Sequence, residues 1–247
     1  MRFFSLTTVA AVALSWGLAA GGAGAARASS GPALDPAALT TLSNERTLSR
    51  WAHSEERATV RSNPSSGASR IGRLHLDTED GLPEVYLVLR GYTDQSGRRW
   101  VEVRLPARPN GQTGWVTRAA LGAFHRTTSL LKIDRRTLRA TLTRRGKVVW
   151  RAPVGVGKDA TPTPAGRFFV RERLVPRAGS IYGALAFGLS AYARVSDWPG
   201  GGVVGIHGTN QPQLIPGRPS HGCIRVRAAD LRRLGRLLEV GTPVRIA

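Results

Sequence analysis

The chain has a single cysteine, Cys223, in the run GIHGTNQPQLIPGRPSHGCIRV from Gly205 to Val226, which also holds two of the five histidines, His207 and His221. These are residue types for nucleophilic catalysis. A thiolate rather than a thiol attacks, so a reactive cysteine needs a base within hydrogen-bond reach or a positive surrounding that lowers its pKa. His221 lies two residues before Cys223, so in an extended segment both side chains point to one side, whereas His207 meets the sulfur only if the loop folds back. Pro212, Pro216, Gly217 and Pro219 suit such a shaped loop. Gly208 and Gly222 each follow a histidine, where a missing Cβ lets the backbone approach a ligand or turn its N–H groups toward a developing oxyanion. The run reads as base, loop, nucleophile and backbone donors, with either histidine eligible as the base.

Two plainer readings compete. A lone cysteine is commonly a small buried hydrophobe. Here it follows Ser-His-Gly, and in a secreted chain an unpaired thiol is a liability unless it reacts. A metal site is the other, but one cysteine and two histidines give three ligands in none of the usual zinc spacings, so no metal is expected.

HGT followed by SHGCIRV resembles the signature of the L,D-transpeptidase family, whose YkuD-like catalytic domain serves bacterial cell-wall enzymes. The resemblance implies that Cys223 is the nucleophile, His207 the general base and the Gly208 carbonyl the group that orients its ring. It places His221 and Ser220 along the substrate site and gives the oxyanion hole to the N–H groups of Gly222 and Cys223. Arg225 stands where members carry arginine or asparagine, and its guanidinium would meet a substrate carboxylate in two-point fashion. Tyr182, ahead of the segment ALAFGLSAYARV, falls in a region that faces the donor stem in the family. VGVGKDATPTPAGRFFV, from Val154 to Val170, resembles the pattern that frames the family's active site, with Thr163 and Pro164 read as a turn without substrate contact.

The reaction implied is peptidoglycan cross-linking. A tetrapeptide stem acylates the cysteine, terminal D-alanine leaves, and an amine of a neighbouring stem resolves the thioester into a 3,3 cross-link. Carbapenem-type inhibitors would acylate the same thiol, and no cofactor is needed. Hydrolysis of the same thioester would make an L,D-carboxypeptidase or endopeptidase. A non-catalytic wall-binding protein is the reading from a different class.

The elements that must position this site form a mainly β protein. From 124 to 247, Leu131 and Ile133, then Leu138, Ala140 and Leu142, alternate with polar residues, and Arg145-Gly146 turns the chain into Val148, Val149 and Trp150. Leu231, Leu234, Leu237 and Leu238 recur at helical spacing, Gly241 stops that helix and a strand from Val244 to Ile246 closes a YkuD-like β-sandwich with one buttressing helix. From 48 to 123, strand-like segments at 58–64, 84–92, 99–106 and 114–121 alternate with turn clusters such as SNPSSG and RPNGQTG, a layout that resembles a small SH3-like β-barrel. Residues 29–47 read as a linker. Residues 1–28, with Arg2, an apolar run and small residues at Ala23, Ala25, Ala26 and Ala28, read as a secretory signal peptide, leaving no stable membrane span after cleavage.

Charge decides little. The 36 Lys and Arg, nearly all Arg, outnumber 16 Asp and Glu, yet they are scattered rather than interleaved with stacking aromatics. That argues against nucleic acid; a secreted, wall-associated protein among anionic wall polymers fits, and so does an arginine excess that comes from base-rich codons with no function attached.

Overall fold

The computed structural model describes residues 38–194 and 199–247. The signal-peptide reading of 1–28 lies outside the described residues. Within them the protein is mainly β, with one α-helix, and no helix is long and apolar enough to cross a membrane.

The first sheet contains β1 (Leu39–Thr41), β2 (Ser49–His53), β3 (Thr59–Arg61), β4 (Arg70–Arg73), β5 (Val85–Thr93), β6 (Arg99–Arg104), β7 (Thr113–Thr117) and β8 (His125–Thr127). Their order is β4-β3-β7-β6-β5-β2-β8, with β1 also on β5. Each of the four strand-like segments expected here contains a strand. Part of the stretch read as linker is strand as well: Leu39–Thr41 pairs with Arg90–Tyr92, and Asn44 Oδ1 accepts the N–H groups of Arg46, Thr47 and Leu48 in the turn that follows. The sheet also runs past residue 123, because His125–Thr127 pairs with Ser49–Trp51.

The second sheet contains β9 (Ser129–Asp134), β10 (Arg139–Arg144), β11 (Lys147–Pro153), β12 (Gly155–Gly157), β13 (Gly166–Leu174), β14 (Ala186–Tyr192), β15 (Val203–His207), β16 (Gly217–Ser220), β17 (Ile224–Arg225) and β18 (Pro243–Ile246). Their order is β11-β10-β9-β18-β13-β14-β15-β17-β12-β16, in a sandwich-like arrangement around a core that includes Leu131, Leu142, Trp150, Phe168, Phe187 and Ile206. The helix, α1 (Ala228–Gly235), buries Leu231 and Leu234 in that core, while Leu237 and Leu238 lie just beyond its end, before Gly241 turns the chain at φ +76°. The helical spacing is right for its first two leucines; the last two reach the core from the turn.

The strand β5 shows how the two sheets meet. Val85 to Leu89 are all buried, an unbroken apolar run of the kind a strand covered on both faces requires. Tyr86 and Val88 enter the core of the first sheet, whereas Val85, Leu87 and Leu89 pack against Phe169 of β13. Beside that contact, the Arg171 guanidinium donates to both carboxylate oxygens of Glu84, through Nε to Oε1 at 3.0 Å and through Nη2 to Oε2. The pair is almost sealed from water, with side-chain exposures of 3% and 1%. Arg171 Nη1 also reaches Glu79 Oε2 at 2.9 Å, and Tyr192 donates to Glu79 Oε1 at 2.6 Å. A second polar joint forms where Arg108 Nη2 donates to the carbonyls of Ala193 and Gly201, each at 2.9 Å, and Asn110 exchanges two hydrogen bonds with the Tyr192 backbone.

Breaking a buried, two-point ion pair on one side strands the other charge in the interior. Glu84→Gln is therefore expected to lower the unfolding free energy by about 3 kcal/mol, read as a shift of the urea midpoint; a shift below a few tenths of a kcal/mol would show that water reaches the pair.

Candidate active site

Three strand ends and one turn bring the chemistry together. His207 is the last residue of β15, and Arg225 is its register partner on the parallel neighbour β17. Cys223 is the residue before β17, so the folded sheet places the sulfur's backbone next to the Gly205–His207 segment, and the Gly205 N–H donates to Cys223 Sγ at 3.4 Å. Cys223 and His207 line the same two cavities. The loop does fold back: pairing of β15 with β17 brings His207 to the sulfur's cavity across the whole intervening run.

His207 is buried, and its Nδ1 lies 2.7 Å from the Gly208 carbonyl oxygen. A carbonyl only accepts, so Nδ1 carries the proton and the lone pair is on Nε2. The Tyr182 ring stands at 89° to the imidazole with centroids 4.8 Å apart, and the Tyr182 carbonyl accepts the Gly208 N–H at 2.7 Å. Glycine is required at 208, because a Cβ there would come within 2.9 Å of that carbonyl and 3.2 Å of the Gly183 Cα. Residues 182–183 and 208 thus hold the ring from two sides.

The SHGC turn is tied down by hydroxyls. Ser220 Oγ donates to the Cys223 carbonyl at 2.6 Å and accepts the Gly222 N–H at 3.1 Å. Gly222 has φ +132° and rests on Ala193, whose Cβ would lie 2.8 Å from any Cβ added at 222. The spacing of the motif offers the Gly222 N–H to an oxyanion; in the folded turn that donor is directed at Ser220 instead. His221 is exposed and lines the same cavity as Cys223, with Arg225 and Gln211 on the same wall, where Arg225 Nη1 donates to Gln211 Oε1 at 3.3 Å.

Thr163 has a larger part than a turn residue. It is 1% exposed, its hydroxyl donates to the Gly222 carbonyl at 2.8 Å and accepts the Gly157 N–H at 2.9 Å. One side chain therefore locks the glycine-rich edge to the cysteine turn. No local signal in TPTP announces this, because the partner lies far along the chain. Gly205, whose N–H meets the sulfur, and Ala193, which supports Gly222, carry no sequence signal either.

Burial dominates the site's electrostatics. It pushes His207 down to about 4, against the upward pull of the Gly208 carbonyl and with a further push from the Arg225 charge. It also pushes the Cys223 thiol up, against the Gly205 N–H and Arg225, which favour the thiolate. At neutral pH the resting pair is thus a thiol and a neutral imidazole with its Nε2 free of a proton.

A mainly β chain whose second sheet gathers a lone thiol, a buried imidazole and a glycine-rich edge matches one class of enzyme fold. Residues 128–246 match the YkuD family model, the L,D-transpeptidase catalytic domain. The chain is 36% identical over 116 residues to the protein named for L,D-transpeptidase YkuD in Bacillus licheniformis, covering 47% of this chain and 62% of that one. For the protein of the same name in Bacillus subtilis (strain 168), identity is 35% over 106 residues, or 43% and 58% of the two chains. The chain thus spans about three fifths of the curated relatives it matches. Among solved structures it is similar to a cysteine-to-serine mutant of the Enterococcus faecium L,D-transpeptidase, at 27% identity, TM-score 0.39 and coverage of 48% of this chain and 49% of that one.

Two outcomes are expected. Thr163→Val keeps the shape but leaves the Gly222 carbonyl and the Gly157 N–H unsatisfied, so it should cost about 2 kcal/mol and change the rate of Cys223 alkylation, while Thr163→Ser should lose less; equal melting temperatures for all three proteins would remove the lock. Because the thiol sits above its free value of 9.0, iodoacetamide alkylation should still be rising with pH beyond that point. A plateau reached between about pH 5 and pH 8 would instead reveal a thiolate–imidazolium pair already formed.

Proposed function

We propose that this protein is a secreted peptidoglycan L,D-transpeptidase that works through a thioester on Cys223. The observation that carries the reading is the fixed Nδ1–H tautomer of His207, which leaves its only basic nitrogen for the thiol that shares its cavity. His207 Nε2 takes the thiol proton as the sulfur attacks the carbonyl ahead of the terminal D-amino acid of a tetrapeptide stem. The Cys223 N–H stabilises the tetrahedral oxyanion, joined by the Gly222 N–H when Ser220 releases it. The C–N bond then breaks, the leaving amine takes the proton from His207, and the thioester remains. The amine of a second stem attacks it, its proton passes to the sulfur through His207 as the C–S bond breaks, and a 3,3 cross-link results.

Arg225 and His221 line the cavity that receives the donor stem, where a guanidinium suits a peptide carboxylate. Carbapenem-type β-lactams would acylate the same sulfur. Water resolving the thioester in place of the amine would give carboxypeptidase activity, and product mass separates the two fates.

Mass spectrometry of the purified enzyme with a disaccharide tetrapeptide should show loss of D-alanine, an acyl increment on Cys223 and a cross-linked dimer. Cys223→Ala should abolish all three while the fold persists. Dimer formation by Cys223→Ala would refute the nucleophile assignment.

A further inference from the structure

The thiol and the imidazole open onto two cavities of opposite character. The first, with Arg225 and His221, has no carboxylate among its described lining residues. The second shares Tyr182, Val203, His207 and Cys223 with it, but adds Asp80 and Glu172, with Arg177 the one cation among its described lining residues. Asp80 does not come from the catalytic domain. It sits on the loop between β4 and β5 of the first sheet, the same loop that carries Glu79 and Glu84 to Arg171.

Glu172 is the informative residue. A carboxyl side chain only 3% exposed is costly to hold in the interior without a partner. Its Oε2 accepts from Thr78 Oγ1 of that loop at 2.5 Å. Its Oε1 accepts no hydrogen bond from the described residues and lies over Gly188, where an added Cβ would come within 2.2 Å of it. Glu172 and Gly188 both line the cavity that reaches Cys223. Burial, opposed by the Thr78 hydrogen bond and the Arg171 charge and reinforced by the charges of Asp80 and Glu79, holds Glu172 above the usual carboxylate range. A cation in the cavity would relieve that strain.

We propose that Glu172 and Asp80 form a binding wall for the ammonium group of the acceptor, so that the first sheet takes part in choosing the amine that enters the site. The inference rests on the acyl-transfer reading above and deepens it. Carboxylates of the donor stem meet Arg225 in the first cavity; the side-chain amine of the acceptor stem meets the carboxyls of the second. Each approaches the same sulfur from its own side, and neither has to leave before the other binds. An ammonium held there must still lose its proton before its nitrogen attacks, and the wall serves to concentrate and orient it rather than to remove that proton.

The test has a binding arm and a turnover arm. In the binding arm, Nα-acetyl-lysine methylamide, a cation, should protect Cys223 from iodoacetamide, and its uncharged Nε-acetylated counterpart should not. Asp80→Asn, a surface change that leaves the fold intact, and Glu172→Gln, which keeps the shape and the Thr78 hydrogen bond, should each weaken this protection about tenfold, the scale of one lost charge contact at a partly buried site. Equal protection by the two probes, or protection that survives both substitutions, would overturn the proposal whether or not the enzyme turns over. In the turnover arm, the ratio of cross-linked dimer to hydrolysed stem should fall about tenfold in both variants, through a raised KM for the acceptor. An unchanged ratio on an acylated thiol would overturn the acceptor role. A wild-type thiol that never becomes acylated by the tetrapeptide would instead sink the acyl-transfer reading itself, and the binding arm would then decide the ammonium site alone.

Discussion

The buried Arg171–Glu84 pair is the constraint on which the arrangement of the two sheets turns. Each ion has given up nearly all of its water, so each is tolerable only while the other stays in place. Glu84 immediately precedes β5, the strand whose alternate residues build both the core of the first sheet and the contact with Phe169. Arg171 is part of the strand that carries Glu172 to the active-site cavity. Fixing the one to the other therefore fixes the loop at residues 77–84 beside the thiol. The clamp of Arg108 and Asn110 on Tyr192, Ala193 and Gly201 holds the opposite rim, and Ala193 is the surface on which Gly222 rests. The first sheet is thereby a structural part of the site.

Within the site, desolvation sets the chemistry. It favours the protonated thiol and the neutral imidazole, so the resting pair is not an ion pair. A stored thiolate would be open to oxidants; a thiol that is half-buried and neutral is less so. Three contacts hold the imidazole: the Gly208 carbonyl on Nδ1, the Tyr182 ring packed edgewise at 89° to it, and the Tyr182 carbonyl on the Gly208 N–H.

HG and SHGC stood out in the sequence because they are local words, and the structure brings their His207 and Cys223 to the same cavities. The strands were legible from alternation, and the unbroken run from Val85 to Leu89 already carried the mark of a strand covered on both faces. What could not be read depends on partners distant in the chain. Thr163 looks like any turn threonine until parallel pairing of β12 with β16 brings Gly222 to it. Glu172, in the stretch Arg171-Glu172-Arg173, looks like a solvated strand face, and only the loop that covers it makes it a buried acid. The Gly222 N–H looked available because the geometry of a four-residue turn, with Ser220 reaching back, is not written in residue types. Leu39–Thr41 hid in an Ala- and Thr-rich stretch because a short strand added to a sheet needs little hydrophobic pattern of its own.

The position of β18 bears on how the protein is made. It pairs with β9 in parallel and with β13 antiparallel, in the interior of its sheet, although more than a hundred residues separate it from β9 in the chain. Until Pro243–Ile246 has been synthesised, β9 and β13 each present an open edge, and the half that bears the thiol stays split from the half that begins it. Such long-range closure is slow and leaves apolar edges exposed meanwhile. The groups gathered by the second sheet therefore share one continuous sheet only once β18 lies between β9 and β13.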